Sequence, residues 1–471
     1  MSRKSQDPLE LASGASWTAE LAGALPPGRV TRQTGVLHAH SGDKWHAAAL
    51  PEAVVRVEGV EEAAEVLRFA HRRRIPVTTR GAGVGYVGGC VPVCGGIVLS
   101  TMAMNRIREI DRADGVAVVE PGVITGELQD AARRLGMFYP PDPASLRECS
   151  IGGNIATNAG GPRCLKYGVT RHYVLGLEVV LAGGRILRTG GRCHKNKTGF
   201  DLLGMFVGSE GLLGVVTEAT LRLLPHPPAR AMVSAGWRGM EEAAAAVQAI
   251  LGAGYLPSAL EIADRFTLEA ARAHLGASLA PQGGAHLLVE VDGHADTVGR
   301  EAKRLSGMLA GLGALQVEEA LTEDACERIW GLRREFSYSL KATGLVKLNE
   351  DVVVPRRRLV DLAHFAEQLQ AESGFPVACF GHAGDGNLHV NIMVPETESE
   401  EARRKIEMVL DRLFCQVLAW GGTLSGEHGI GLAKKRWFEQ ALPETAREVH
   451  RELKRALDPR GILNPGKFVS G

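Results

Sequence analysis

Pro140-Pro141-Asp142-Pro143-Ala144-Ser145, then Ser150-Ile151-Gly152-Gly153-Asn154, then Ala156-Thr157-Asn158-Ala159-Gly160-Gly161 make one long run of small residues. The run offers hydroxyls and amides but few charges. Such a surface suits a large polar, uncharged ring edge or a ribityl chain better than a lone phosphate. Residues 140–167 read as loop-rich, and so long a stretch without regular structure inside a domain is usually functional.

Two glycine turns lie on either side of it. Arg80-Gly81-Ala82-Gly83-Val84-Gly85, with Gly88-Gly89 behind, lets consecutive backbone N–H groups point into one concavity where a phosphate can approach. Rossmann loops read GxGxxG directly before a helix. Here Gly88-Gly89-Cys90-Val91-Pro92 follows, which no helix fits, so that architecture is excluded. Downstream, Phe206-Val207-Gly208-Ser209-Glu210-Gly211-Leu212-Leu213-Gly214 is a glycine turn entering a strand.

The C-terminal half carries a different chemistry. Gly381-His382-Ala383-Gly384-Asp385-Gly386-Asn387-Leu388-His389 is followed by Ser425-Gly426-Glu427-His428-Gly429. Val377 to His382 and Leu388 to Val394 read as strands joined by an Asp-Gly turn, with Asp385 a turn residue. Closing that hairpin brings His382 and His389 side by side, and alternation puts His389 and Asn391 on one face. Two imidazoles plus one carboxylate make a common divalent site with positions open for substrate, and Glu427 is the best third ligand. Zinc, manganese and iron all accept these donors. A third imidazole stays free as a base.

Lysine plus arginine balance aspartate plus glutamate, 54 against 54, which gives no global argument for nucleic acid or an anionic membrane surface. Met1 to Trp17 is polar and unlike a secretory signal, and no run approaches the ~20 apolar residues of a spanning helix. A cytoplasmic protein is expected, with peripheral membrane association left open. The eight cysteines are scattered without a CxxC pair, so reduced thiols are expected and an iron–sulfur cluster within this chain is not.

At 471 residues the chain exceeds one ordinary core. Strands are expected at 54–57, 75–79, 97–100, 116–119, 175–181, 186–189 and 214–223, with helices at 61–74 and 125–135. Pro225, Pro227 and Pro228 mark the boundary. Beyond it strands at 231–235, 258–263, 285–291, 352–354, 376–382 and 388–394 alternate with helices at 240–252, 266–275, 295–311, 323–342 and 398–418, a small antiparallel sheet covered by helices. A helix near 443–457 follows. Lys434-Lys435-Arg436 reads as solvated surface. The division is an N-terminal helical segment 1–44, a domain 45–226, a second domain 227–425 and a tail 426–471.

Together the three glycine-rich elements and the Glu-His pair resemble the FAD-binding vanillyl-alcohol oxidase/p-cresol methylhydroxylase superfamily. Within it the chain is similar to the D-2-hydroxy acid dehydrogenases: the flavin-binding chain of glycolate oxidase, D-lactate dehydrogenase and D-2-hydroxyglutarate dehydrogenase. The resemblance runs from about Trp45 to Lys467. It implies an α+β fold, with a two-subdomain PCMH-type FAD-binding domain, a ferredoxin-like substrate cap and a tail returning to the FAD domain. It implies that residues 79–85, with Arg80, Gly81, Ala82, Gly83, Val84 and Gly85, bind the pyrophosphate. By the same comparison 140–161, with Pro140, Asp142, Ser150, Gly153, Asn154, Thr157 and Ala159, line the flavin, and 208–216, with Glu210, Val215 and Val216, reach the adenosine side. No histidine lies between Arg80 and Cys94, so the FAD is expected to be non-covalent.

The resemblance further implies that His382, His389 and Glu427 are metal ligands and His428 the general base. Arg333 holds the substrate carboxylate, while Ser337 and Asn391 contact substrate. Ser337 stands where some relatives carry threonine, and either Lys347 or Asn349 fills the place of a family lysine. The expected reaction is oxidation of a D-2-hydroxy acid to the 2-oxo acid by proton abstraction and hydride transfer to the flavin. An iron–sulfur protein, a quinone, a cytochrome or oxygen would accept the electrons, and a homodimer is left open. The alternative is a flavin-carrying electron-transfer or binding subunit of a glycolate oxidase-type complex, against which the His/His/Glu plus His set argues. Ignoring the glycine loops leaves a metallohydrolase.

Overall fold

The computed structural model describes residues 17–276, 281–396 and 399–469; the expectations placed on residues 1–16 and on residue 398 lie outside them. In the first half the strands Val30–Thr31, Ala53–Arg56, Ile97–Ser100 and Val77–Arg80 form one sheet in that order. Its first pair is antiparallel and the other two are parallel. A second, antiparallel sheet runs Ile107–Asp111, Val116–Val119, Val215–Arg222, Val174–Val180, Ile186–Gly190.

The helix Val60–Arg73 joins the two sheets. Its apolar stripe, Ala63, Ala64, Val66, Leu67, Phe69 and Ala70, is buried. That stripe shares one core with Ile97 and Leu99 of the first sheet and Val180 and Val215 of the second. Glu61 and Glu62 open the helix and Arg72 and Arg73 close it, each sign matched to the helix dipole.

The 140–167 segment is more regular than its composition suggests. Ile151–Thr157 is a helix, capped by the Ser150 hydroxyl, which accepts from the Gly153 N–H at 3.3 Å. Its glycines serve close packing: a Cβ on Gly152 would stand 2.7 Å from that of Pro121. Ile151 and Ile155, one turn apart, are both fully buried. A short turn of helix, Cys164–Tyr167, follows.

The second half is built on a seven-stranded antiparallel sheet, larger than the small sheet expected. Its order is Gln316–Ala320, Ala229–Trp237, Ala285–Gly293, Ala259–Ala263, Val377–His382, Asn387–Val394, Val346–Val353. Met240–Gly252, Ala295–Gly311, Leu359–Ser373 and Glu400–Ala419 cover one face in a single apolar core. Arg265–Leu275 and Glu323–Ala342 pack on the other face. The strand Gln316–Ala320 and the helix Leu359–Ser373 are absent from the sequence-based assignment, and the strand ending at Val353 begins at Val346 rather than Val352. Gln316–Ala320 is an edge strand with little buried apolar surface, so its alternation is faint.

The tail returns to the first half. Lys467 lies fully buried with Nζ donating to the Val91 carbonyl at 2.6 Å. Asn464 Nδ2 donates to the carbonyls of Gly89 and Glu210 at 2.9 and 2.8 Å, which gives Asn464-Pro465-Gly466-Lys467 a structural role as an anchor. Lys434 is not surface: it is 1% exposed, its Nζ donating to the carbonyls of Asp351 and Leu424. Among the described residues no helix is long and apolar enough to cross a membrane. All eight cysteines are free thiols.

Candidate active site

The two halves enclose a cavity of about 1200 Å³. One wall is backbone and small side chains of the first half: Gly81 to Gly85, then Ser150, Gly153, Asn154, Thr157 and Ala159, then Glu210 and Val216. The facing wall carries His382, His389, Glu427, His428, Arg333, Ser337, Lys347 and Asn349.

Sheet register explains the second wall. Phe380 lies opposite His389 and Asp351 opposite His389 on the other side, while Glu261 lies opposite His382. All share the face on which the helices Arg265–Leu275 and Glu323–Ala342 pack, where Phe380 meets Phe336. Glu427 then arrives from the tail, its Oε1 3.3 Å from His382 Nε2 and 3.2 Å from His389 Nε2. One donor atom from each of the three side chains lies within 4.8 Å of the others.

This donor set fits a divalent cation. His382 turns its second nitrogen, Nδ1, to Glu261 Oε1 at 2.6 Å, the carboxylate–imidazole arrangement that orients metal-ligating histidines. His389 Nδ1 is buried without a hydrogen-bond partner among the described residues. The first wall fits a large cofactor by the same kind of test. A Cβ at Gly81 would stand 2.4 Å from the Ser150 hydroxyl, so the cradle depends on glycine there.

Residues 226–468 match the family described as FAD linked oxidases, C-terminal domain, and residues 51–190 match the FAD binding domain family. The chain belongs to the FAD-linked oxidase family. Glycolate oxidase subunit GlcD of Bacillus subtilis is 39% identical over 422 residues, 90% of each chain. A D-lactate dehydrogenase of Archaeoglobus fulgidus is 38% identical, over 88% of this chain and 91% of the relative. Among solved structures, 4-ethylphenol oxidase from Gulosibacter chungangensis superposes with a TM-score of 0.80 at 20% identity, covering 97% of each chain, a likeness of fold.

Within this FAD-linked oxidase, four expected contacts sit away from the cavity lining. Arg80 folds its guanidinium onto the Gly42 carbonyl and, at 3.1 and 3.3 Å, onto Cys90 Sγ and the Ala39 carbonyl. Pro140 is buried beside the lining. Val215 points into the core between the sheets, because strand alternation sends Val216 to the cavity instead. Asn391 is fully buried, its amide donating to the carbonyls of Ala378 and His389 at 2.9 and 3.1 Å. Lys347 and Asn349, two residues apart on one strand, both reach the cavity, and Lys347 Nζ donates to the Ser337 hydroxyl at 2.7 Å. Asp385 is the turn residue expected, accepting from the Asn387 N–H at 3.2 Å.

The residues that sequence reasoning missed are the buried acids behind His382, His389 and Glu427. Glu261 is 1% exposed and accepts from Arg333 Nε at 2.7 Å as well as facing His382. Burial opposes its charge, but His382 and Arg333 hold its carboxyl down at about 2. Asp351 is fully buried, its Oδ2 accepting from the Ser425 hydroxyl at 2.8 Å and from the N–H groups of Gly426, Glu427 and His428 at 2.9, 2.9 and 3.0 Å. Burial again opposes ionisation, and His428 and Lys434 hold Asp351 well below the usual carboxylate range. An acid in the apolar strand Ala259–Ala263 was the readable signal for Glu261, since buried acids are nearly always paired.

His428 lies between two rings. It stacks on Tyr86 at 5.2 Å between centroids and on His389 at 5.5 Å. Burial lowers its pKa to about 4, which leaves a neutral imidazole at neutral pH. On the first wall, burial raises Asp142 to about 6 against the pull of Arg163, which also reaches Glu290 of the cap at 3.2 Å.

Proposed function

We propose that this FAD-linked oxidase converts a D-2-hydroxy acid of the lactate, glycolate or 2-hydroxyglutarate class to the 2-oxo acid, with a divalent cation held by His382, His389 and Glu427. The observation that carries the reading is the shared cavity, in which His428, Arg333 and the three ligands face the glycine-lined cofactor wall. When bound, the flavin supplies a two-electron acceptor for the hydride on Cα and the cation supplies positive charge beside the substrate hydroxyl.

The chain's own groups do the rest. Neutral His428, which burial keeps unprotonated at working pH, takes the hydroxyl proton. Arg333 pairs with the carboxylate, the natural partner of a guanidinium fork. Glu261 braces Arg333 and His382 together, so carboxylate binding and ligand orientation share one buried support. The cation-π contact of Arg333 with Phe380, 4.8 Å to the ring centroid, fixes the guanidinium plane. Among the described residues Lys347 has no acid pairing with it, and it lines the cavity beside Ser337, suited to a second, distal carboxylate.

The test is anaerobic flavin reduction against a panel of D- and L-2-hydroxy acids, with and without chelator. Wild type bleaches with a D-acid and slows after chelation, while His428→Ala stays yellow and folded and does not bleach. A colourless purified protein, or bleaching of His428→Ala at the wild-type rate, would refute the reading.

A further inference from the structure

Glu210 has an unusual place. It occupies the turn between the helix Leu202–Phe206 and the strand Val215–Arg222 with φ of +48°, a left-handed conformation that its glycine neighbours accommodate more readily. Its backbone N–H donates to the Ala156 carbonyl at 2.8 Å, and its own carbonyl accepts from Asn464. Its carboxylate does not stay in the first half. Oε1 and Oε2 accept from the N–H groups of Ile430 and Gly431, each at 2.8 Å.

Those two amides lie two and three residues beyond His428. The tail bends through Gly429 at φ +87° to present them, and a Cβ at Gly429 would stand 2.7 Å from Glu210 Oε1. On the near side of His428, Asp351 of the cap takes the N–H groups of Gly426, Glu427 and His428 on one oxygen. The segment carrying the ligand and the base is therefore gripped at both ends by buried carboxylates, one from each half of the molecule.

We propose that Glu210 is a positioning residue: it ties the segment bearing His428 to the cofactor wall, so that the base is registered against the flavin by the first half while the ligands are registered by the cap. The inference rests on the proposed reaction for its catalytic meaning, although the clamp itself can be read without it. Glu210 lines the cavity, and on this reading its carboxyl group serves the tail rather than the expected cofactor contact. Gln keeps the shape but sets an NH₂ against one of the two N–H groups. Asp keeps the charge but falls one methylene short.

Hydrogen exchange on the cofactor-free protein reads the clamp directly. In the wild type the amides of Ile430 and Gly431 exchange slowly, and in Glu210→Gln and Glu210→Asp they exchange fast; fast exchange in the wild type overturns the proposal without any variant. In the loaded enzyme both variants keep the wild-type affinity for FAD, measured by fluorescence titration, and the wild-type KM. Their flavin reduction falls about 10²-fold, the scale of an ångström-sized misplacement. Loss of FAD affinity with wild-type reduction in the loaded fraction assigns Glu210 to the cofactor and overturns the proposal. So does a wild-type rate and exchange pattern in Glu210→Asp. His428→Ala run alongside separates the two ideas: normal bleaching there sinks the proposed reaction, while the exchange data judge the clamp independently.

Discussion

Asp351→Asn is the sharpest test of how this site is held together. The carboxylate has no exposed surface, and its Oδ2 alone accepts four hydrogen bonds, from Ser425 and the N–H groups of 426, 427 and 428. Oδ1 accepts a fifth from Asn387 Nδ2 at 2.6 Å. Asn can keep one cluster on its oxygen but turns an NH₂ toward the other. Lys434, 3.9 Å away and 1% exposed, loses its ion-pair partner. Breaking a buried pair costs about 3–5 kcal/mol. Lys434 keeps two carbonyl acceptors, at 2.8 and 2.7 Å, so the lower end, ~3 kcal/mol, is expected. For a cooperative unit of roughly 150–250 residues, each kcal/mol moves the melting temperature about 2–4 °C, so a loss of ~6–12 °C is expected. Scanning calorimetry at pH 7 on the cofactor-free protein measures it. The double variant Asp351→Asn with Lys434→Met should recover part of the loss, because the orphaned cation is gone. A melt indistinguishable from wild type would refute the claim that this one carboxylate organises the tail.

Two further outcomes follow from the same geometry. Lys347→Met should raise KM for a D-2-hydroxy dicarboxylate about 10–100-fold, the worth of one charge-assisted hydrogen bond, and leave a short monocarboxylate nearly unchanged; equal effects on both would remove Lys347 from the distal subsite. Asp264 accepts from the N–H groups of Thr267 and Cys379 at 2.9 and 2.7 Å, and burial raises its carboxyl to about 6. A folded pKa above the unfolded one means its contribution is complete below about pH 4 and is lost as pH rises through about 6. The stability difference between Asp264→Asn and wild type should therefore shift by ~3 kcal/mol in the variant's favour from pH 4 to pH 7, and a pH-independent difference in urea unfolding would contradict it.

Much of the fold was readable because its signals are local. The helix Val60–Arg73 is legible from Ala64, Leu67 and His71 at helical spacing, of which Ala64 and Leu67 are buried, and the hairpin Val377–Val394 announces itself through Asp385-Gly386. The helix Ile151–Thr157 was hidden because its glycines answer to Pro121 and to the cavity, neighbours that no local window contains. Pro227 and Pro228 stand between the strands Leu224–Pro225 and Ala229–Trp237, where a residue lacking an N–H interrupts pairing.

The ligand candidates were legible for the same reason: imidazoles and a carboxylate set among glycines are chemically conspicuous in one dimension. Their supports were not. Glu261 and Asp351 lie 121 residues from His382 and 76 from Glu427 respectively, and nothing along the chain connects them. Val215 and Val216 were told apart only by which face of a strand meets the cavity, and Lys434 looked like surface until a buried carboxylate was found beside it. The order of residues determines which groups can ligate, donate or take a proton, since that is covalent chemistry. Which of them stand together, and what charge each can bear, is decided by sheet register and by desolvation, and both exist only once the two halves have closed on each other.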